Sequence, residues 1–361
     1  MDFGLVFQSR VTTTPDEVAF AEEKGFTHAW LYDSQMIYSD VYVTMALCAE
    51  RTEKIKLGTG VTNPSSRIAP VTANAFTSLN MLAPGRLGMA IGSGNTARRT
   101  LGMPASKVAE VTDHVRVFRD LCRGDTTDYS EGERTRKVRF LNQGEGFYNL
   151  DDPIEILIAA SGPRLLRAAG EMADGVMLFG AVSPALIEFV MRHAREGAES
   201  VGRNPDDLDV TCMTAFHLTE EGQGLESPEV KRAVGPFVAS SVNIFALSNK
   251  DPSVLPAQYR DEIVGFKDIY KVPDEPIETR HLKMYQDYLH GFRQEHVDLV
   301  TESLIRATTL TGTADEIAGA IEAMGDAGVT QVAIQPILDV RETTEKFSRA
   351  VIDRFKVGKA V

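Results

Sequence analysis

Two hydrophobic periods alternate along the chain. Short, almost wholly apolar runs recur at residues 3–8, 28–32, 55–61, 87–91, 154–160, 175–179, 209–218 and 329–336, each the length of a strand buried on both faces. Between them apolar residues fall at helical spacing, as at Val71, Ala75, Leu79 and Leu82, or at Val108, Val111, Val115, Phe118 and Leu121. The predicted helices cover 14–25, 42–51, 69–82, 106–123, 163–173, 184–202, 313–328 and 343–355. Start and stop signals bracket them. Pro15, Asp16 and Glu17 open the first, Pro70 opens the third and Pro84-Gly85 ends it, and Thr313 is followed three residues later by Glu316 as in a capping box.

Strand and helix thus alternate eight times, which predicts an α/β fold and, within that class, a (β/α)8 TIM barrel. A doubly wound open sheet is the competing architecture. Two stretches interrupt the alternation. Residues 124–153, after the fourth strand, are polar with short alternating pieces and read as a hairpin-like insertion. Residues 219–303, after the seventh, are too long for one connection, and their prolines and acidic pieces suggest helices. Within them 286–301 reads as a packing helix, with a lid or dimer contact as the alternative. The whole chain, 1–361, is expected to be a single domain.

Composition narrows the function. Hydrophobic residues at 43% and charged residues at 25% are ordinary for a globular enzyme. A formal charge of −13 without any basic run argues against nucleic acid as a partner. No run approaches the roughly 18 apolar residues of a membrane span, and the first strand begins without a signal-like core, so a cytoplasmic location is expected. Cys48, Cys122 and Cys212 are widely spaced in apolar patterns and read as buried thiols rather than a disulfide or metal site.

A barrel carries its active site at the carboxyl ends of its strands. Those ends hold Gln8, Ser9 and Arg10; Asp33, Ser34 and Gln35; Thr62 and Asn63; Gly92, Ser93, Gly94 and Asn95; Ser161 and Gly162; Gly180; His217; and Gln335. No His-x-His pair, clustered carboxylates or strand-end lysine stands among them, which argues against a metal-dependent hydrolase and a Schiff-base aldolase. Amides, hydroxyls and glycines suit an organic cofactor that brings its own reactivity. Ser161-Gly162-Pro163 places a sharp turn before a helix whose free N–H groups can meet an anion; the plainer reading makes Ser161 an N-cap. Arg98 and Arg99 either add positive charge there or are surface residues.

An ordered set of segments carries a resemblance. It comprises Trp30-Leu31-Tyr32-Asp33-Ser34 with Tyr42 to Leu47; Leu57-Gly58-Thr59-Gly60-Val61-Thr62-Asn63-Pro64; Leu82 to Arg86 with Ile91-Gly92-Ser93-Gly94-Asn95; and Ala159-Ala160-Ser161-Gly162-Pro163 with Ala173 to Val176. In these the chain resembles the bacterial luciferase-like oxidoreductases over almost its whole length. Gly60 to Pro64 is especially similar to the methylenetetrahydromethanopterin reductase branch. The resemblance implies a TIM barrel oxidoreductase or monooxygenase that uses FMN or coenzyme F420 on a small organic substrate. With FMN, a separate flavin reductase would supply reduced cofactor for reaction with dioxygen; with F420, hydride would pass directly.

The resemblance also implies roles. Val61, Thr62 and Asn63 would lie behind the ring, in a bulge that often holds a non-prolyl cis peptide. Asp33 and Ser34 would line the reactive edge, with Asn63 and His217 as further catalytic candidates. Ser93, Gly94 and Asn95 would bound the ring, and Ser161, Gly162 and Gly180 would hold the phosphate. Plainer readings stand beside these: a turn cap for Asp33, a turn residue for Asn63, a hydrogen-bonded interior histidine for His217. Arg10 and Arg67 are candidates for an anionic substrate. A homo-oligomer is expected, and no metal. The alternative function is a non-catalytic flavin-binding protein on the same fold.

Overall fold

In this computed structural model, which describes residues 1–357 apart from 250, 268, 270–273, 285–288 and 290–293, the strands close into a ring. In chain order they are β1 (Asp2–Phe7), β2 (His28–Leu31), β3 (Lys56–Thr62), β4 (Leu87–Ile91), β5 (Thr127–Glu131), β6 (Arg134–Val138), β7 (Glu155–Ala159), β8 (Gly175–Phe179), β9 (Asp209–Leu218), β10 (Leu310–Gly312) and β11 (Gln331–Gln335). Eight of them pair in parallel in the order β1, β2, β3, β4, β7, β8, β9, β11, and β11 returns to β1. That closure decides for the TIM barrel over the open sheet. β5 and β6 form an antiparallel hairpin outside the ring, where the polar insertion was expected.

The barrel strands are apolar on both faces because each face is covered. Outward side chains meet the helix layer, in which Phe76 and Phe118 pack edge to face with ring centroids 5.3 Å apart. Inward side chains fill the ring: Val6, Trp30, Ala90, Leu157, Met177, Met213 and Ala333 form one cluster. Trp30 is 2% exposed and its Nε1 donates to Gln331 Oε1 at 2.6 Å. Room for the indole comes from glycines on the neighbouring strands. A Cβ on Gly58 would stand 2.3 Å from Trp30 Cζ3. Gly58→Val is therefore expected to cost about 3 kcal/mol by overpacking, read as a lower Tm.

Several elements differ from their sequence expectation. The last helix starts at Val340 rather than at 343, because Asp339 caps it by accepting the Glu342 N–H at 2.7 Å, and it passes through a π turn over Ser348–Ile352. β10 is a short strand beside the end of β9, outside the barrel. The second insertion contributes the long helix Pro228–Ser248, with Pro236 inside it, and shorter helical pieces. Of the expected 286–301 helix, the described part is a 3-10 segment, Gln294–Leu299; most of the remainder lies outside the described residues. The three cysteines are free. No described helix is long and apolar enough to cross a membrane.

Candidate active site

The carboxyl ends of β2, β3, β4, β7, β8 and β9 surround a cavity of about 630 Å³, a size suited to a cofactor. Its back is made by β3. The Gly60–Val61 peptide is cis, the β3–β4 register shifts between Gly60 and Thr62, and Val61 lines the cavity. Beside it Gly92 leaves little space: a Cβ there would lie 3.3 Å from both Val61 Cγ2 and Ala159 O, so its neighbours would have to give by a few tenths of an ångström. Ser93, Gly94 and Asn95 continue this wall, and inward-facing Met177, Phe179 and Met213 add an apolar surface.

Asp33 lines the same cavity and is held from β3: Thr62 Oγ1 donates to its Oδ2 at 2.6 Å. Burial raises the carboxyl above its ordinary 3.8, against the Thr62 hydrogen bond and the Arg67 charge, which lower it. A half-buried acid that keeps its proton at higher pH than a surface carboxyl is suited to proton transfer. Tyr32, just before it, also lines the cavity and donates its hydroxyl to Gln335 Oε1.

Across the cavity is the turn after β7. Ser161 and Gly162 line it, and the helix Pro163–Met172 begins there. Gly162, not Ser161, is the N-cap, and no side chain caps this end. The Leu166 N–H is taken by Gly162 O at 3.1 Å, while those of Arg164 and Leu165, both cavity-lining residues, fall in the first turn, where no intrahelical partner exists. Such an end attracts an oxyanion. The end of the long helix and the segment after it close the rim with Ser248, Asn249, Asp251 and Val254, and Asn249 Nδ2 reaches Ser161 O at 3.5 Å.

The cavity thus gathers Asp33, Ser34, Val61, Ser93, Gly94, Asn95, Ser161 and Gly162 from the sequence-derived candidates, and leaves Thr62, Asn63, Gly180, His217, Arg10 and Arg67 off its wall. Thr62 is buried behind Asp33. Asn63 turns into its own loop, accepting the Ser65 and Ser66 N–H groups at 3.1 and 3.0 Å, which fits the plainer reading of a turn residue. Gly180 takes φ +66° and spends its N–H on Met213 O at 2.9 Å, so that donor is not free for a phosphate. His217 stands off the wall, its Nε2 buried without a protein partner among the described residues and its pKa lowered by burial. Arg67 is committed to Asp40 at 2.6 Å and lies over the Tyr42 ring, and Arg10 is exposed off the wall.

Sequence reading missed Tyr32, Tyr38, Ser106 and the rim formed by Ile244, Leu247, Ser248, Asn249, Asp251 and Val254. Tyr32 was accessible from strand parity, since it follows Trp30 by two on the inward face. The rim was not, because it comes from the insertion.

A family model described as luciferase-like monooxygenase matches residues 2–331. The chain belongs to the luciferase-like monooxygenase family. Among its relatives in this family, the 5,10-methylenetetrahydromethanopterin reductase of Methanopyrus kandleri is 27% identical over 99% of each chain. An F420-dependent glucose-6-phosphate dehydrogenase of Nakamurella multipartita is 34% identical over 54% of this luciferase-like chain and 60% of its own length. In fold, the coenzyme F420 dependent tetrahydromethanopterin reductase from Methanopyrus kandleri superposes with a TM-score of 0.75 at 24% identity, covering 98% of this chain and 99% of the other.

Proposed function

We propose that this protein is an oxidoreductase that holds coenzyme F420 at the barrel mouth and passes a hydride between it and a small organic substrate. One observation carries the reading: a single cavity joins the bulged backing at Val61 to an uncapped helix start at the β7 turn, the two features that a flat ring with an attached phosphate requires. The F420 dependence named for relatives supports F420 as the cofactor.

When bound, F420 supplies the ring carbon that gives or accepts hydride. The chain's own residues do the rest. Val61 would back the bound ring from the β3 side of the cavity. Asp33, oriented by Thr62, would hold a proton for the reaction. Backbone N–H groups of the first turn after Gly162 hold the phosphate, while Met177, Phe179 and Met213 keep water from the ring.

FMN with dioxygen is the second reading, favoured by the monooxygenase description of the family, and it requires a separate reductase to deliver reduced flavin. Titrating one preparation with F420 and with FMN separates the two. Tight F420 binding and an anaerobic change in deazaflavin absorbance with substrate are expected. Tight FMN binding with oxygen consumption, and no affinity for F420, would sink the proposal.

A homo-oligomer also forms part of this reading. Val43 and Leu47 on helix Val41–Ala49, and Val71, Met81 and Leu82 on the adjacent helix Ala69–Leu82, are exposed apolar side chains. Light scattering should give a mass well above the 39.5 kDa of one chain; a monomer at working concentration would refute self-association.

A further inference from the structure

Arg99 Nε and Ser106 Oγ, on residues that line the cavity, are buried polar atoms without a protein partner among the described residues. A buried donor without an acceptor is costly, so such groups in a native fold are as a rule satisfied by something. Carboxylates are plentiful in this chain, with 51 acidic against 38 basic residues. Other arginines have found them: Arg67 pairs with Asp40, Arg119 with Asp174, Arg167 with Glu196 and Arg195 with Glu188. Arg99 has no ion pair among the described residues. The two acids on the same cavity are engaged elsewhere, Asp33 with Thr62 and Asp251 with the Ser253 N–H.

The loop after β4 holds both groups in place. Arg98 Nε donates to Pro104 O, the Met103 N–H to Arg98 O at 3.0 Å, and the Ser106 N–H to Ser93 O at 2.8 Å. The loop is thereby folded on itself and tied to the glycine turn, and it brings Arg99 and Ser106 to the cavity from β4. The anion-binding turn at Ser161 and Gly162 comes from β7, so the two groups belong to separate elements.

We propose that Arg99 and Ser106 form a second oxyanion subsite, distinct from the turn after β7, that takes a carboxylate of the cofactor's tail. A guanidinium offers forked donors matched to a carboxylate, and a serine hydroxyl adds one more. The inference rests on the F420 reading, because the F420 tail carries carboxylates beyond its phosphate whereas FMN ends at its phosphate.

The test is titration of the full-length protein and of Arg99→Gln, Arg99→Lys and Ser106→Ala with oxidised F420 and, separately, FMN. Arg99→Gln should weaken F420 binding ~10- to 100-fold, as expected for loss of a charge-assisted pair. Ser106→Ala should weaken it about fivefold, with Arg99→Lys between the two. FMN affinity should stay within about twofold in all three, which also reports an intact fold. Equal loss for both cofactors would place Arg99 on the shared phosphate and overturn the proposal; unchanged F420 affinity in Arg99→Gln would overturn it as well. If the unaltered protein binds FMN and not F420, or neither, the deazaflavin reading itself fails and the tail subsite falls with it. That outcome is read on wild type alone, so the two failures are told apart.

Discussion

Replacing Ser161 by glutamate is expected to abolish tight binding of F420 and of FMN alike. Ser161 is 9% exposed at the turn where the helix Pro163–Met172 begins. A carboxylate there would take the first-turn N–H groups for itself and repel an incoming phosphate. Losing charge-assisted hydrogen bonds and gaining a like charge amounts to about 3 kcal/mol or more, a loss beyond ~100-fold in affinity. The fold should survive, since an acidic side chain at a helix amino terminus is favourable. Equilibrium titration beside a thermal melt reads both quantities. Wild-type affinity in Ser161→Glu with an unchanged melt would remove the phosphate from this turn.

Asp33→Asn should separate turnover from stability. Removing a proton-transfer group lowers kcat by about 100- to 10,000-fold. Stability should move the other way. Burial, the largest influence, raises the Asp33 carboxyl above 3.8, so between that value and its folded value the native state binds more protons than the unfolded chain. Asp33 therefore contributes a stability that declines as pH rises through that window and leaves a net cost above it. Asparagine can still accept the Thr62 hydrogen bond without carrying the charge, so the variant should melt at or above the wild-type temperature near neutral pH. A wild-type reaction that needs the protonated carboxyl should slow as pH rises through the raised pKa, and the slow residual rate of Asp33→Asn should lack that limb. Wild-type kcat in the variant would assign the proton elsewhere.

The expected polar hairpin at 124–153 and the cap at Thr313 with Glu316 show what is legible locally. Turn residues, caps and polar runs act over a few positions, so the hairpin β5–β6 and the helix Ala314–Asp326 formed where expected. The late helix start at 343 was a local misreading, because Asp339 caps four residues earlier.

Candidate site residues were legible only as a class. Strand ends in a barrel face one way, so Asp33, Ser93, Gly94, Asn95, Ser161 and Gly162 could be nominated together. Asn63, Gly180 and His217 were nominated on the same ground. Their positions off the wall follow from the Asx turn at Asn63, from an N–H that Gly180 spends on Met213 of the neighbouring strand, and from the place of His217 beyond Met213 on β9.

By itself the amino-acid order determined the alternation of strand and helix, the strand-end residues and the scarcity of charge among them, because hydrophobic period and turn chemistry are properties of neighbouring residues. Tertiary structure alone decided that β11 returns to β1, that Thr62 grips Asp33, that Gly58 makes way for Trp30 and that the second insertion rims the cavity beside Ser161. Those are contacts between distant segments, set by closure of the ring and packing across it, and no local pattern encodes them.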